Sequence, residues 1–217
     1  LPGSVSYIFL ISIISGYPTG AKLIQEYHKK GILGYNQCVT CCALCSSSSP
    51  LFVFGTVAAL LHSLKAAAVI YFAHIISCFI NGLIFRCKTY SKDTYETIGN
   101  ENFNLSDTVY TSTVSILTIG GLIAVFGLLT DLLLYYNIFN YLNLLFFPIN
   151  KLLNCNIGIP LLGGFLEITK GIALINLPIY YAIPIASMLL SFSGICILVQ
   201  QYTYLKDCGI YFGKFFI

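Results

Sequence analysis

The sequence predicts an all-α polytopic membrane protein that contains two pseudo-repeats with re-entrant or broken helices. Three observations lead to this prediction. Apolar residues make up 57% of the 217 residues. Charged residues make up only 9%, against roughly a quarter in ordinary globular proteins. Clusters of Gly, Pro and Ser also recur inside the apolar segments. A soluble protein of this size could not hide so much apolar surface from water, so the bilayer is its expected partner.

Three apolar segments are long enough to cross that bilayer. A crossing helix needs about 20 apolar residues, and residues 66–85 form such a stretch without a formal charge. Residues 114–129, extended in either direction, and residues 177–199 predict two further spans. Several of these segments lie deep in the chain and are too long to be a cleaved signal peptide.

Four apolar segments are interrupted, and one of them is the third predicted span. The breaks fall at residues 15–20, 46–50, 163–171 and 191–194. In lipid, each backbone N–H or C=O group left unpaired by a break is costly, so we expect the breaks to be buried in protein or to line a wet cavity. Short interrupted segments at matching positions in two halves of a chain are typical of a transporter binding site.

The spacing of the breaks divides the chain. The first and third breaks carry Lys22 and Lys170, and a serine break follows each about 30 residues later. We predict a first repeat over residues 1–85, with a broken helix, a re-entrant hairpin and a transmembrane span, and a second repeat over residues 108–217. The alternative is coincidence in a membrane protein rich in Ser and Gly. A polar loop, residues 86–107, would join the repeats.

Segments outside the spans and breaks give three weaker expectations. Residues 137–154 form an amphipathic segment that Pro148 bends and that would lie at the membrane interface. The chain starts at Leu1 and ends in an apolar run, so we expect a cut N-terminus and leave a cut C-terminus open. Basic loops at residues 29–30 and 86–92 both favour the cytoplasm, which leaves the orientation open.

Other classes of protein find little support. A net charge of +3 without basic stripes excludes nucleic acid as a partner. The usual metalloprotease, phosphate-loop and hydrolase motifs are absent from the sequence, so we expect neither an enzyme nor a cofactor. Cys38, Cys41, Cys42 and Cys45 are spaced along one face of a helix. Such a stripe favours close helix packing over a tetrahedral metal site, so no metal is expected.

Single charged residues in apolar surroundings are candidates for function. A carboxylate such as Glu167 in an apolar run usually marks a pathway, a proton relay or an ion pair, and on a helix it could pair with Lys170. Lys22 is equally well explained as the start of a solvated helix face. Asp131 is expected at the interface. His74, like His62, stands alone on an apolar segment, where a hydrogen-bonded residue is more common than a ligand.

The breaks carry four motifs that resemble those of a known family. They are SGYPTGAK at residues 15–22, CSSSSPLFVFG at 45–55, GGFLEITKG at 163–171 and SFSGICILVQ at 191–200. In this order they resemble the YlbJ-type sporulation integral membrane proteins, whose gate domain is related to concentrative nucleoside transporters. In the second motif Ser46 and Ser47 stand where the family has Asn. In the fourth, Ser193 and Cys196 replace Gly and Ser.

The resemblance implies a concentrative nucleoside transporter gate fold and the transport of dipicolinic acid across the mother-cell-derived membrane around the forming spore. It also implies further spans before the first motif. Half-helix N-termini and hydroxyl donors at the breaks would bind this small planar dianion, and lysines would supply full positive charge. The expected substrate-binding residues are Thr19, Lys22, Ser46, Ser47, Ser48, Ser49, Glu167, Thr169, Lys170, Ser191, Ser193 and Gln200.

Two other functions stay open. One is a non-transporting scaffold for membrane assembly during sporulation, which would use the gate fold without moving a substrate. The other is a nucleoside carrier. A coupling ion and a second copy of the chain are further partners that the sequence leaves open.

Overall fold

The computed structural model describes residues 3–86 and 104–210, and this part of the chain is all-helical, without a strand. Most of the predicted polar loop, including Lys88 and Lys92, lies outside the described residues. In chain order the helices are α1 (Gly3–Ser15), α2 (Thr19–Lys29), α3 (Tyr35–Cys45), a π-helix (Phe52–Val57) that continues into α4 (Ala58–Leu60), α5 (Leu64–Ile84), α6 (Leu105–Tyr135), α7 (Ile138–Leu142), α8 (Phe147–Leu153), α9 (Gly158–Leu166), α10 (Ile168–Ala173), α11 (Ile179–Phe192) and α12 (Gly194–Leu205).

Three helical stretches in the described ranges are long and apolar enough to cross a membrane: Leu64–Ile84, Leu105–Tyr135 and Ile179–Cys208. They coincide with the three predicted spans, so the prediction of an all-α polytopic membrane protein is confirmed. Ser63 begins α5 as its N-cap, because its side chain accepts a hydrogen bond from the Ala66 N–H. The third stretch is broken at Ser193, as the sequence predicted.

The first break forms the tip of a helical hairpin. α1 and α2 run antiparallel, because Gly20 packs on Ser12 and the rings of Tyr7 and Tyr27 lie with centroids 6.3 Å apart. The turn between the two helices places Gly16 in the left-handed region, at φ 72°, which glycine adopts without strain. Both open ends of this hairpin therefore lie on one side of the molecule.

The second break interrupts a crossing helix. Thr40 Oγ1 donates to the Phe85 carbonyl at 2.8 Å, and further along α5 the Cys78 thiol donates to the Ser46 carbonyl at 3.2 Å. The π-helix then packs on the first turns of α5, since Val53 and Val57 are buried with Ala67 and Ile70. The chain from α3 to α4 thus runs antiparallel to the whole of α5. It is therefore a broken span.

The third break forms the tip of a second hairpin. Gly171 of α10 lies against the backbone of Gly164 in α9, and Gly163 lies against Leu174. These pairs make α9 and α10 antiparallel about Glu167, whose backbone is extended at φ −140° and ψ 119°. The order of a hairpin followed by a broken span therefore occurs once in each half of the chain. The two-repeat relation itself remains a prediction.

The two hairpins enter from opposite sides of the membrane. Hairpin 1, α1–α2, packs in a core with α3 and the end of α12, which includes Ile24, Cys41 and Leu205. Hairpin 2, α9–α10, packs through Ile168 and Ile172 in a separate core with the π-helix, α5 and α11. We name the two sides after two exposed residues. The Lys29 face holds the ends of α2, α5 and α12. The His62 face holds the starts of α5 and α11. The chain passes from one core to the other at the breaks.

Residues 137–154 form three short helical pieces rather than one bent helix. α7 is followed by a 3₁₀ turn, Asn143–Phe146, and by α8. Pro148 lies in the first turn of α8, where its missing N–H needs no partner. The predicted bend at Pro148 is therefore the start of a new helix.

Candidate functional site

The tip of hairpin 1 meets both broken spans. The Tyr17 hydroxyl donates to the Ser46 carbonyl at 3.3 Å and accepts from Ser193 Oγ at 2.8 Å. Gly16 approaches so closely that a Cβ at this position would lie 2.5 Å from Ser49 N. One tyrosine therefore joins three segments that are far apart in sequence.

Hairpin 2 reaches the same place through the fourth break. Ser193 adopts a left-handed conformation at φ 69° and ends α11. The next residue, Gly194 at φ 72°, packs so closely on hairpin 2 that a Cβ would lie 2.8 Å from the Gly164 carbonyl oxygen. All four breaks therefore meet in the middle of the described structure. We call Tyr17, Ser46, Ser48, His74 and Ser193 the break cluster.

His74 brings an imidazole from the unbroken helix α5 into the break cluster. Its Nε2 accepts the Ser48 N–H at 3.2 Å and lies 3.5 Å from the Tyr17 hydroxyl and 3.8 Å from Cys78 Sγ. The side chain is 5% exposed. Its Nδ1 is buried without a hydrogen-bond partner in the described part of the chain.

Serines at the second break hold the backbone in different ways. Ser47 Oγ donates to the Ser12 carbonyl at 3.0 Å and so ties the break to α1. Ser46 Oγ donates to the Cys42 carbonyl at 2.9 Å, and Ser49 Oγ accepts the Phe52 N–H at 3.2 Å. These hydroxyls are used by the fold. The Ser48 hydroxyl lies buried beside Tyr17.

Glu167 caps α10 instead of pairing with Lys170. Its carboxylate accepts the Thr169 N–H at 3.1 Å, the Lys170 N–H at 2.8 Å and the Thr169 hydroxyl. The carboxylate is buried, with the residue 2% exposed. It therefore neutralises the positive end of α10, and this end offers no place for a second anion.

Lys170 turns the other way, and its ammonium group pairs with Asp131 of α6. The Nζ–Oδ distances are 2.7 and 2.8 Å. The predicted pairing of Glu167 with Lys170 is wrong, because both groups have other partners. Both members of the observed pair are about half exposed, at 40% and 53%, so the pair joins α6 to hairpin 2 away from the break cluster.

The remaining predicted residues are dispersed. Thr19 begins α2 directly behind the hairpin tip, and Lys22 lies one turn further along, partly exposed. Ser191 is exposed on α11. Gln200 is buried within α12, where its amide donates to Cys196 Sγ at 3.3 Å. Of the predicted set, the structure brings Ser46, Ser48 and Ser193 into direct contact with Tyr17 or His74.

A narrow cleft opens beside Tyr17, between α2, α3 and α12. Its free volume is about 10 Å³, room for about one water molecule. It is lined by Tyr17, Pro18, Gly20, Ala21, Ile24, Cys42, Cys45, Ser46, Gln201 and Leu205. The cleft reaches the break cluster through Tyr17 and Ser46 but is too small for an organic anion as it stands.

The cysteine stripe lies on the inner side of α3. Cys38, Cys41 and Cys45 are buried in the core that holds hairpin 1. Among the described residues there is no group of three or more His, Cys, Asp or Glu side chains arranged to hold a metal ion. The stripe packs helices together.

Sequence reasoning missed Tyr17, His74 and Gln201. Tyr17 lies inside the first motif, of which Thr19 and Lys22 are the predicted site residues. His74 is an ionisable residue in an apolar span, which is by itself a signal of function. Gln201 is buried beside the predicted Gln200 and lines the cleft. Which of two adjacent glutamines faces the cleft depends on the rotation of α12.

Comparison with known proteins gives one relative. The chain is 26% identical, over an alignment of 247 residues that covers all of it, to the sporulation integral membrane protein YlbJ of Bacillus subtilis (strain 168). The chain spans 60% of the length of that protein. No family model and no solved structure matches. The resemblance predicted from the four motifs is confirmed, and the chain is an integral protein of the cell membrane.

Proposed function

We propose that this chain carries the substrate site and the gate of a membrane transporter for a small organic anion, with dipicolinate as the expected substrate during spore formation. The observation that carries the proposal is the meeting of four helix breaks between two hairpins that enter from opposite faces. Non-helical backbone at membrane depth is tolerated only where protein buries it or where it lines a cavity. Broken helices that meet at the midplane are the usual construction of transporter sites.

The chemistry of the break cluster favours an anion. α2 begins behind the tip of hairpin 1, and α12 begins at Gly194, so that two helix N-termini start at the cluster. Each carries roughly half a positive charge and free N–H donors. Glu167 is engaged as the cap of α10, where its carboxylate accepts the N–H groups of Thr169 and Lys170. Hydroxyl donors from Ser48 and Ser193 would then complete the site.

Transport requires this site to open. The cleft holds about 10 Å³, so a hairpin tip has to leave the cluster before an anion can enter. Movement of hairpin 1 would break the hydrogen bonds from Ser193 to Tyr17, from Tyr17 to Ser46 and from Ser47 to the Ser12 carbonyl. Each net hydrogen bond contributes about 1 kcal/mol, and the apolar core that hairpin 1 shares with α3 and α12 would have to shift as well. Movement of one hairpin at a time would open the site to one face and then to the other.

The spore context comes from the relative, which is a sporulation protein. A scaffold of membrane assembly is the second candidate. The closed cleft favours it, because the described conformation has no room for a substrate. Both candidates use the same fold, and they differ in whether an anion crosses the membrane.

Dipicolinate uptake by the full-length protein in liposomes, and dipicolinate content of spores, test the proposal. We expect Ser193→Ala to raise the KM for dipicolinate about fivefold, the equivalent of one hydrogen bond of about 1 kcal/mol. Ser191→Ala is the matched control, because this serine lies two residues away and is exposed. Uptake that is unchanged by deletion of the protein would establish the scaffold. A preference for uridine would establish a nucleoside carrier.

A further inference from the structure

The hydrogen bonds around His74 define its tautomer. A backbone N–H can only donate, so the contact from Ser48 N to His74 Nε2 at 3.2 Å requires an unprotonated Nε2. The ring hydrogen of the neutral imidazole is then on Nδ1. This Nδ1–H is buried and has no acceptor in the described residues. A buried donor without a partner is costly, and the fold retains it on the helix that contacts the first and second breaks.

Protonation of Nε2 would reverse its hydrogen bond. Two donors, the Ser48 N–H and the new Nε2–H, would then face each other, so Ser48 would lose its hydrogen bond to α5. The Tyr17 oxygen, 3.5 Å from Nε2, has a lone pair left to accept the new hydrogen. A proton on His74 thus moves the imidazole contact from the second break to the tip of hairpin 1.

We propose that His74 is the proton-binding site that couples anion transport to proton movement, with proton and anion carried in the same direction. This inference rests on the proposed function and adds the coupling ion to it. A positive imidazolium in the break cluster attracts an anion, and a bound anion favours the imidazolium. The two binding events therefore strengthen each other by the same factor.

Within the break cluster, His74 is the side chain that can take up a positive charge. Tyr17 faces it from hairpin 1 and Cys78 from one turn along α5. Cys45, at the end of α3, lies beyond Cys78, and the second break presents serines. No carboxylate or ammonium group is hydrogen-bonded to or paired with the imidazole in the described ranges. Phenol and thiols are neutral when protonated, so an added proton charges the imidazole.

Solid-state NMR of the full-length protein in liposomes tests the site directly. In this chain His74 is the histidine that follows an alanine, Ala73, so alanine-carbonyl and histidine labelling selects it without a substitution. We expect a neutral ring with hydrogen on Nδ1 at alkaline pH and an imidazolium in acid. Saturating dipicolinate should move this transition toward higher pH. A ring with hydrogen on Nε2 at alkaline pH, or one that stays neutral in acid with dipicolinate bound, would overturn the proposal.

Uptake driven by a pH gradient tests the coupling. We expect dipicolinate to accumulate in liposomes whose exterior is more acidic, and its apparent Kd to fall by a factor between about 5 and 150 on acidification. His74→Gln keeps a polar side chain that cannot titrate. It should retain exchange of dipicolinate between the two sides but lose accumulation and the pH dependence of Kd. His62→Gln, at an exposed position, is the matched control.

The two assays separate the possible failures. Accumulation that follows a sodium gradient and ignores the pH gradient refutes coupling through His74 while the transport proposal stands. If the protein neither binds nor moves dipicolinate, the proposed substrate is refuted. The NMR titration then still shows whether His74 binds a proton. If His74→Gln fails to fold, His74→Asn and the NMR titration of the unsubstituted protein give the same decision.

Discussion

At the scale of single residues, the structure separates charges that serve the fold from polar groups at the candidate site. Glu167, Thr169 and Lys170 stand together in one motif, yet the first two form a helix cap and the third binds Asp131, 39 residues away. The sequence shows that a carboxylate in an apolar run needs a partner. It cannot show which partner, because the choice depends on the angle at which α10 leaves the break.

The cap role of Glu167 gives a stability prediction. Glu167→Ala leaves the buried N–H groups of Thr169 and Lys170 without their acceptor, so we expect a loss of about 1–2 kcal/mol in the free energy of unfolding. Glu167→Gln keeps one oxygen and should lose less. Unfolding of the purified protein in mixed detergent micelles measures both.

Glu26→Ala, on the exposed side of α2, is the control for Glu167 and should change stability by less than about 0.5 kcal/mol. From the sequence we expect Glu167→Gln to abolish transport. If Glu167→Gln leaves the free energy of unfolding unchanged and abolishes uptake, the carboxylate acts in the substrate pathway. This result would contradict a purely structural cap.

At the scale of helices, the sequence predicts the breaks well and their geometry poorly. Each break is visible because Gly, Pro and Ser interrupt an apolar run. Whether the chain reverses or continues is decided by contacts over long sequence distances, such as Thr40 with Phe85. The sequence alone therefore leaves open which break of the first half forms the hairpin and which forms the broken span. The convergence of the breaks on His74 has the same origin, since it depends on tertiary packing.

The close packing of glycines in hairpin 2 gives a second prediction about stability. A Cβ on Gly171 would overlap the Gly164 backbone, which cannot rotate away as a side chain can. We expect Gly171→Ala to destabilise the protein by about 1–3 kcal/mol through overpacking, despite the better helix propensity of Ala. The midpoint of thermal unfolding in detergent measures the effect. Gly120→Ala in α6, where a Cβ meets nothing within 4 Å, should be neutral or slightly stabilising, and equal effects of the two substitutions would refute the close contact.

At the scale of the whole molecule, the fold resolves the conflict between the basic loops. Lys29 pairs with Asp207 at 2.9 Å, and Thr40 just after this loop bonds Phe85 at the end of α5. The loop at residues 29–30 and the start of the loop at residue 86 are therefore on the same Lys29 face. α5, with 21 residues, is roughly 31 Å long, so its first turn is a bilayer thickness away on the His62 face.

The distribution of basic residues then predicts the orientation. Lys29, Lys30, Arg86 and Lys206 lie on or next to the Lys29 face, whereas Lys65 at the start of α5 and Lys151 of α8 lie toward the other. Since loops rich in Lys and Arg stay in the cytoplasm, we expect the Lys29 face to be cytoplasmic. An epitope inserted at Gly31 should be reached by antibody only in permeabilised cells, and one inserted at His62 also in intact cells stripped of their wall; both positions are exposed turns. Access to both tags from the same side would contradict the crossing of α3–α4 and α5, and reversed access would contradict the orientation alone.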